Sequence, residues 1–320
     1  MRNECVEGLR GWIMIWIILF HYTTRYGQLF SVDIPFSFDN GGEIGVAVFF
    51  VISGFFLQKS LVNIKQGGKS VLEFIANKYW RLYPAYAISV VIIFTIINLV
   101  GLPIREVSWK DFIVNMLFIY HPGFDYVDGA HWFIADLIKI QVFLSLLFLF
   151  GTGKRKAIIY VMTFAAMVVL AVDRNYDNEI LHKLCIWASV NSFLNVMCGI
   201  IISLASHKKD IACLALIILF QAFSVGSPLL FIICVLLFIA LIEKKKYTDF
   251  IIKSRIFNNK IIVKIGGLSF YWYLIHQNIG YAVIGKFDNY IIGLFSAIIL
   301  TILMAYILSL FVAKIPKKLI

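Results

Sequence analysis

The sequence predicts an all-α, polytopic integral membrane protein, and three observations carry that prediction. Hydrophobic residues make up 61% of the 320 residues and charged residues 15%, against roughly 45–50% and about 25% in soluble domains. Mean hydropathy is +0.88, so too little polar surface remains to coat a globule of this length. The apolar residues also gather into runs close to the 20 or so that cross a bilayer as one helix. A disordered chain, a disulfide-stapled secreted domain and a soluble enzyme are excluded by the same figures.

The runs place spans near residues 12–30, 44–61, 82–100, 132–150, 157–172, 184–206, 211–226, 228–243, 265–285 and 290–313. That is about ten transmembrane helices in a single transmembrane domain, 1–320, with no appended soluble domain expected. Residues 112–120 (FIVNMLFIY) are too short to span and are expected to lie at the interface or re-enter. Gly226, Ser227 and Pro228 mark a tight hairpin, because proline cannot continue a helix. The longest segments between spans are Val62–Arg81, Gly101–His131 and Glu243–Lys264.

Charge orients the chain. Net charge is +11, which in a soluble protein would suggest a nucleic-acid partner; here none is expected, because membrane proteins collect Lys and Arg in cytoplasmic loops. With the N-terminus inside, 22 of the 29 basic residues fall on the cytoplasmic side and 6 outside, and Lys139 lies within a span. Both termini are therefore expected in the cytoplasm. The five cysteines show no CxxC or metal-ligand spacing and read as small core hydrophobes, Cys5 lying outside the apolar runs. No cleavable signal pattern opens the chain.

Ionisable side chains inside spans cost about 2.5–3.5 kcal/mol each on insertion scales, so each needs a reason. They are His21, Asp136, Lys139 and His276, with Arg10 at a helix mouth. Eleven residues separate Arg10 from His21, about three helical turns and about 16 Å, which puts both on one face of a regular helix. Such a stripe suits an anionic cofactor entering from the cytoplasm and a proton-transfer group deeper in. It also suits a positive-inside anchor and a hydrogen-bonded packing histidine. Asp136 and Lys139 are helix-surface neighbours whose simplest reading is mutual neutralisation. His276 follows Tyr271, Trp272 and Tyr273 mid-span, where a structural and a functional role stand level. Gly41, Gly42, Gly45 and Gly54 let helices approach closely. No phosphate loop, nucleophile elbow or metal motif is present.

Taken together, these segments resemble the membrane-bound acyltransferase-3 family, whose members O-acylate bacterial envelope sugars, glycosides and related targets. EGLRGWIMIWIILFH (7–21) resembles the family's first helix, with Arg10 and His21 as its Arg/Lys-X10-His motif. GGEIGVAVFFVISGFFL (41–57) resembles GxxGVxxFFVISGF, and KYWRLYPAY (78–86) its RxxR segment. HWFIADLIKIQVF (131–143) resembles the Trp-containing fourth helix, and SFYWYLIHQ (269–277) the late SYxxYLxH segment. The order matches across residues 7–277. Lys78 departs from the pattern by standing where many members carry Arg, which keeps the charge and loses the bidentate fork. Many members carry Glu five residues after the Trp; Leu137 occupies that position, and the nearest carboxylate, Asp136, is rotated by about 100°.

The resemblance implies an O-acyltransferase in the plasma membrane of a bacterium. It implies a cytoplasmic acyl-CoA donor, expected to be acetyl-CoA, with no permanently bound cofactor and no metal. The acceptor would be a hydroxyl of a cell-surface glycan or glycolipid. His21 would act as general base or acyl carrier, and Arg10, Lys78 and Arg81 would hold the CoA phosphates. Trp132 and Tyr271 would shape a pocket, with Ser53, Asp136 and His276 as further polar candidates. The rival class, a transporter or flippase of a lipid-linked sugar, fits composition and span number equally but not the motif order. The topology is testable directly: reporter fusions near Lys156 and Lys245 should read cytoplasmic, and those near Asp125, Asp177 and Asp288 external. One inverted loop would mean a span miscounted upstream of it.

Overall fold

A computed structural model describes residues 3–67, 70–100, 106–118, 125–150, 155–224, 227–243 and 255–316. Among these the regular structure is entirely helical. The N-terminal helix α1 (Glu4–Phe20) is followed by a π-helical turn (His21–Arg25) and a short α2 (Tyr26–Phe30). Then come α3 (Gly41–Gly67), α4 (Val71–Val100), α5 (Trp109–Met116), α6 (Trp132–Phe150), α7 (Arg155–Asn175), α8 (Glu179–Trp187) and α9 (Val190–Leu204). They are followed by α10 (Lys208–Ala222), α11 (Pro228–Glu243), α12 (Arg255–Asn258), α13 (Lys260–Ile284) and α14 (Tyr290–Ala313).

All ten expected spans fall largely on helices, yet not all are long and apolar enough to cross a membrane. Among the described residues five qualify: Glu4–Phe30, Gly41–Val62, Val71–Leu99, Arg155–Asn175 and Tyr290–Ala313. The bent pair Glu179–Trp187 and Val190–Leu204 makes a sixth if its 46° break is read as one interrupted span. Ser189, with φ 54°, makes that break. The remaining expected spans lie on α6, α10, α11 and α13. Of these α10 and α11 are 15 and 16 residues long, short of a full bilayer crossing.

One connection departs from the sequence reading. The segment 62–81, expected between spans, is mostly helix. α3 runs on to Gly67, and α4 starts at Val71, where Ser70 Oγ accepts the Glu73 N–H at 3.0 Å. VLEFIANKYWR holds no glycine or proline, so once capped the helix propagates. Residues 112–120 fall in part on the eight-residue α5, whose first turn is closed by a Ser108–Asp111 capping box. The Ser108 hydroxyl and nearby N–H donors hold the Asp111 carboxyl below its usual range. Residues 119–120 lie outside the described residues, as do Gly226 of the expected hairpin and the basic residues Lys154 and Lys244–Lys246. Pro228 opens α11, as expected of a proline in a first helical turn.

The chain divides into two compact units. One comprises Met1–Gly45, Trp80–Ala135 and Ala240–Leu319; the other comprises Val46–Tyr79 and Asp136–Ile239, with Ile320. Within the second, α3 crosses α9 at backbone distance: a Cβ on Gly54 would collide with the Val196 carbonyl, and one on Gly199 with the Val51 carbonyl. Within the first, α1 crosses α12 and α13 the same way. A Cβ on Gly8 would strike the Phe257 carbonyl, one on Gly11 that of Ile262, and one on Gly266 that of Glu7. Lipid supplies no hydrophobic force between helices, so close packing through small residues is what binds them. Gly41, Gly42 and Gly45 at the start of α3 likewise make room for Trp16, Phe20 and Ile17.

Gly266→Leu should therefore destabilise the detergent-solubilised protein by about 1–3 kcal/mol, as overpacking does, read as a lower melting temperature and folded yield. Gly285→Ala is the control, because its added methyl would sit 3.5 Å from its nearest neighbours; its melting temperature should stay at the native value.

Candidate active site

α1 and α13 run parallel, so that residue numbers rise together: Gly11 meets Ile262 and Gly266, Arg10 meets Ser269, and Tyr22 just beyond α1 meets His276 and Gly280. α14 returns antiparallel to α13, pairing Ile284 with Gly293 and Trp272 with Thr301. α1 is regular up to Phe20, and both ends of the expected Arg10–His21 stripe do face α13. At one end Arg10 Nη2 donates to Ser269 Oγ at 3.1 Å, while Nη1 pairs with Glu7 at 3.2 Å. At the other, the His21 ring lies 4.9 Å from that of His276, edge to face.

His21 Nδ1 is 3.0 Å from the Tyr281 hydroxyl. Its Nε2 makes no hydrogen bond among the described residues, and the ring is half-buried. A histidine held at one nitrogen and open at the other is the arrangement a general base needs. His276 is fully buried, with Nδ1 2.8 Å from the Tyr273 carbonyl. Around the pair, Tyr22 donates to the His276 carbonyl at 2.8 Å and lies 3.2 Å from Thr301 Oγ1. The same Thr301 oxygen accepts from Trp272 Nε1 at 2.9 Å. Gly280 leaves the space the Tyr22 ring occupies.

A loop segment before α6 closes on the same part of α13. Asp128, wholly buried, accepts the Ala130 N–H at 2.8 Å and the Asn278 N–H at 3.1 Å. The Asn278 side chain donates to the Val127 carbonyl at 3.0 Å, and His131 Nε2 lies 3.1 Å from the Leu274 carbonyl. Asp128, His131, Tyr22 and Tyr281 were not singled out from the sequence. A buried carboxylate inside a polar loop leaves no mark in the residue pattern. Tyr281 reads as one more aromatic of an interface belt. His131, next to a motif tryptophan, was the one with a usable signal.

The other expected site residues scatter more widely. In the first unit, Arg81 is exposed on α4, makes no hydrogen bond among the described residues, and lies close enough to Tyr271 to act on it electrostatically. Trp132 is 36% exposed at the start of α6. In the second unit, Lys78 lies over the Phe74 ring at 5.4 Å and lines a cleft with Tyr79, Gln141 and Ser145. Ser53 is half-buried beside Gly54. Asp136 pairs with Lys139 at 3.3 Å and accepts from Ser189 and Ser192 at 2.5 and 2.8 Å. Lys139 also donates to the Trp187 carbonyl at 2.8 Å. That network ties α6 to the α8–α9 break, in line with the neutralisation reading. Among the described residues, no group of three or more His, Cys, Asp or Glu side chains is arranged to hold a metal ion.

With this geometry in view, comparison with known families is decisive. A model described as an acyltransferase domain, that of acyltransferase-3, matches residues 3–312. The chain belongs to the acyltransferase-3 family. No curated protein and no solved structure matches it. As a member of this family it is an acyltransferase, and its apolar helices make it a multi-pass membrane protein.

Proposed function

We propose that this acyltransferase-3 protein is an O-acyltransferase that moves an acyl group, acetyl in the simplest case, from cytoplasmic acyl-CoA to a hydroxyl of a cell-surface glycan or glycolipid. The observation that carries the proposal is the state of His21: one ring nitrogen is held by Tyr281, and the other makes no hydrogen bond among the described residues. In the transfer His21 Nε2 takes the proton of the acceptor hydroxyl, and the oxygen attacks the thioester carbonyl. When the tetrahedral intermediate collapses, the C–S bond breaks and the proton passes from His21 to sulfur. Ester and free CoA thiol are the products, and atoms balance. For Nε2 to start as acceptor, Nδ1 must carry the ring proton and donate it to the Tyr281 oxygen.

The donor would be held at the expected cytoplasmic helix mouths. Arg81 suits CoA phosphates best, because it is exposed and makes no hydrogen bond among the described residues, and such a fork pairs with phosphate by charge-assisted bonds. Lys78, three residues earlier on α4, adds a second cation. Arg10 is already committed to Glu7 and Ser269, so a phosphate there would share a guanidinium that also joins α1 to α13. The cell membrane of a bacterium, with both termini in the cytoplasm, is the setting that the charge asymmetry and the family's usual targets support.

Membranes carrying the protein should consume acetyl-CoA with release of free thiol. His21→Ala should abolish that release while the protein still inserts and accumulates; near-native activity in the variant would sink the assignment of the base. Arg81→Ala should raise the apparent KM for acetyl-CoA and leave maximal turnover nearly unchanged. One charge-assisted hydrogen bond is worth about 1.5–3 kcal/mol, so the rise should be about tenfold to a hundredfold. An unchanged donor KM would reduce the basic residues of α4 to a topology signal.

A further inference from the structure

We infer that His276 determines acceptor specificity: its Nε2 accepts a hydrogen bond from a second hydroxyl of the acceptor, adjacent to the one that reacts at His21, and the Val127–His131 segment holds it in place. This rests on the acyl-transfer reading above and narrows the acceptor to compounds with neighbouring hydroxyls.

The proton inventory of His276 comes first. Its Nδ1 lies 2.8 Å from the Tyr273 carbonyl. A carbonyl can only accept, so Nδ1 carries the hydrogen, and in the neutral ring Nε2 is left as an acceptor. That nitrogen is buried and makes no hydrogen bond among the described residues. A buried acceptor left unmade keeps its full desolvation cost, so it calls for a donor from outside the chain. Of the two reacting groups, only the hydroxyl side brings a donor, since the thioester oxygen and sulfur accept.

The reacting hydroxyl has a single proton, which the transfer step delivers to His21. The donor for His276 is therefore a different hydroxyl. The two imidazoles touch edge to face at 4.9 Å, and neither Nε2 has a hydrogen-bond partner among the described residues. Adjacent hydroxyls on a sugar ring are separated by about a hydrogen-bond length, so one can face each ring. A monohydric acceptor would leave His276 unsatisfied.

The positioning is unusually heavy for one helical turn. Asp128 takes the Asn278 N–H, Val127 takes the Asn278 side chain, and His131 reaches the Leu274 carbonyl. Residues 274 and 278 are the two ends of the turn that contains His276, so the segment grips that turn at both ends. Tyr22 adds a bond to the carbonyl of His276 itself. A buried carboxylate is an expensive way to satisfy two backbone N–H groups, and its use here is explained if the turn must not shift.

The test needs no variant at first. Native membranes are supplied with acetyl-CoA and, as probe acceptors, methyl β-D-glucopyranoside and its monodeoxy analogues. Transfer should fall by at least about tenfold for an analogue lacking one hydroxyl next to the acylated position, because a site built around a hydroxyl rejects the compound without it. His276→Phe should bring the parent glycoside down to that level and abolish the discrimination, with the KM for acetyl-CoA unchanged. His276→Gln, which restores an acceptor oxygen, should regain part of it. Asp128→Asn should shift discrimination in the same direction as His276→Phe. Equal use of all analogues by the native protein would overturn the inference and point to a bound water at Nε2. So would a folded His276→Phe protein that discriminates as the native does. A native protein that releases no thiol with any acceptor would instead remove the acyl-transfer reading, and this inference with it.

Discussion

The close parallel crossing of α1 and α13 is the constraint on which the site depends. Gly11 and Gly266 bring the two backbones to a separation that no larger side chain would allow. At that separation side chains from one helix reach the backbone of the other, as Tyr22 reaches the His276 carbonyl. The same approach brings the His21 ring against His276. Were α13 displaced outward by the width of a methyl group or two, Arg10 would lose Ser269 and His21 would lose Tyr281. In lipid the crossing has to be held by packing and by polar pairs between helices. Arg10, Glu7 and Ser269 supply the polar pairs near one end, and Tyr22, Thr301 and Trp272 near the other.

Two kinds of buried polar group can be told apart by their completeness. The Asp136–Lys139 pair is closed: its carboxylate takes two serine hydroxyls and an ammonium, and the lysine adds the Trp187 carbonyl at the helix break. Asp210 is similar, its carboxyl held low by Tyr160, the Ser206 N–H and Lys156. Such networks fasten helices and leave nothing to offer a substrate. The histidine pair is open: one nitrogen of each ring is engaged, and the other makes no hydrogen bond among the described residues. Openness at a buried position is costly in hydrocarbon, where polar groups have no water to turn to, and this separates a place for chemistry from a place for packing.

Much of this was legible in the residues and part of it was not. Helical period and apolar run length placed every expected span on helix, because both are local properties. The eleven-residue Arg10–His21 spacing foretold a shared face correctly, since α1 stays regular to Phe20. What could not be read is whatever depends on partners distant in sequence. Asp128 meets Asn278 across 150 residues and His21 meets Tyr281 across 260. The extension of α3 to Gly67 and the start of α4 at Val71 are not legible in hydropathy, because charges that break a hydropathy run do not break a helix. Spacing shows Asp136 only as half of an ion pair, because Ser189 and Ser192, which donate to it, lie more than 50 residues away.

The π turn explains why the reactive end of α1 differs from the rest. In an α-helix, residues five apart point about 140° away from one another. The turn beginning at His21 closes instead through the Tyr26 N–H on the His21 carbonyl, an i to i+5 bond. Residues five apart are thereby brought onto nearly one face. His21 and Tyr26 both address Tyr281, the first by a hydrogen bond of 3.0 Å and the second with its ring 5.9 Å away. A regular helix could present only one of them. The wider turn disturbs the carbonyl ladder, and Thr23 compensates by donating its hydroxyl to the Leu19 carbonyl at 2.6 Å. Such turns recur at functional sites because they aim more side chains at one place than an α-helix can. Here the place is Tyr281, the residue that sets which nitrogen of His21 is free.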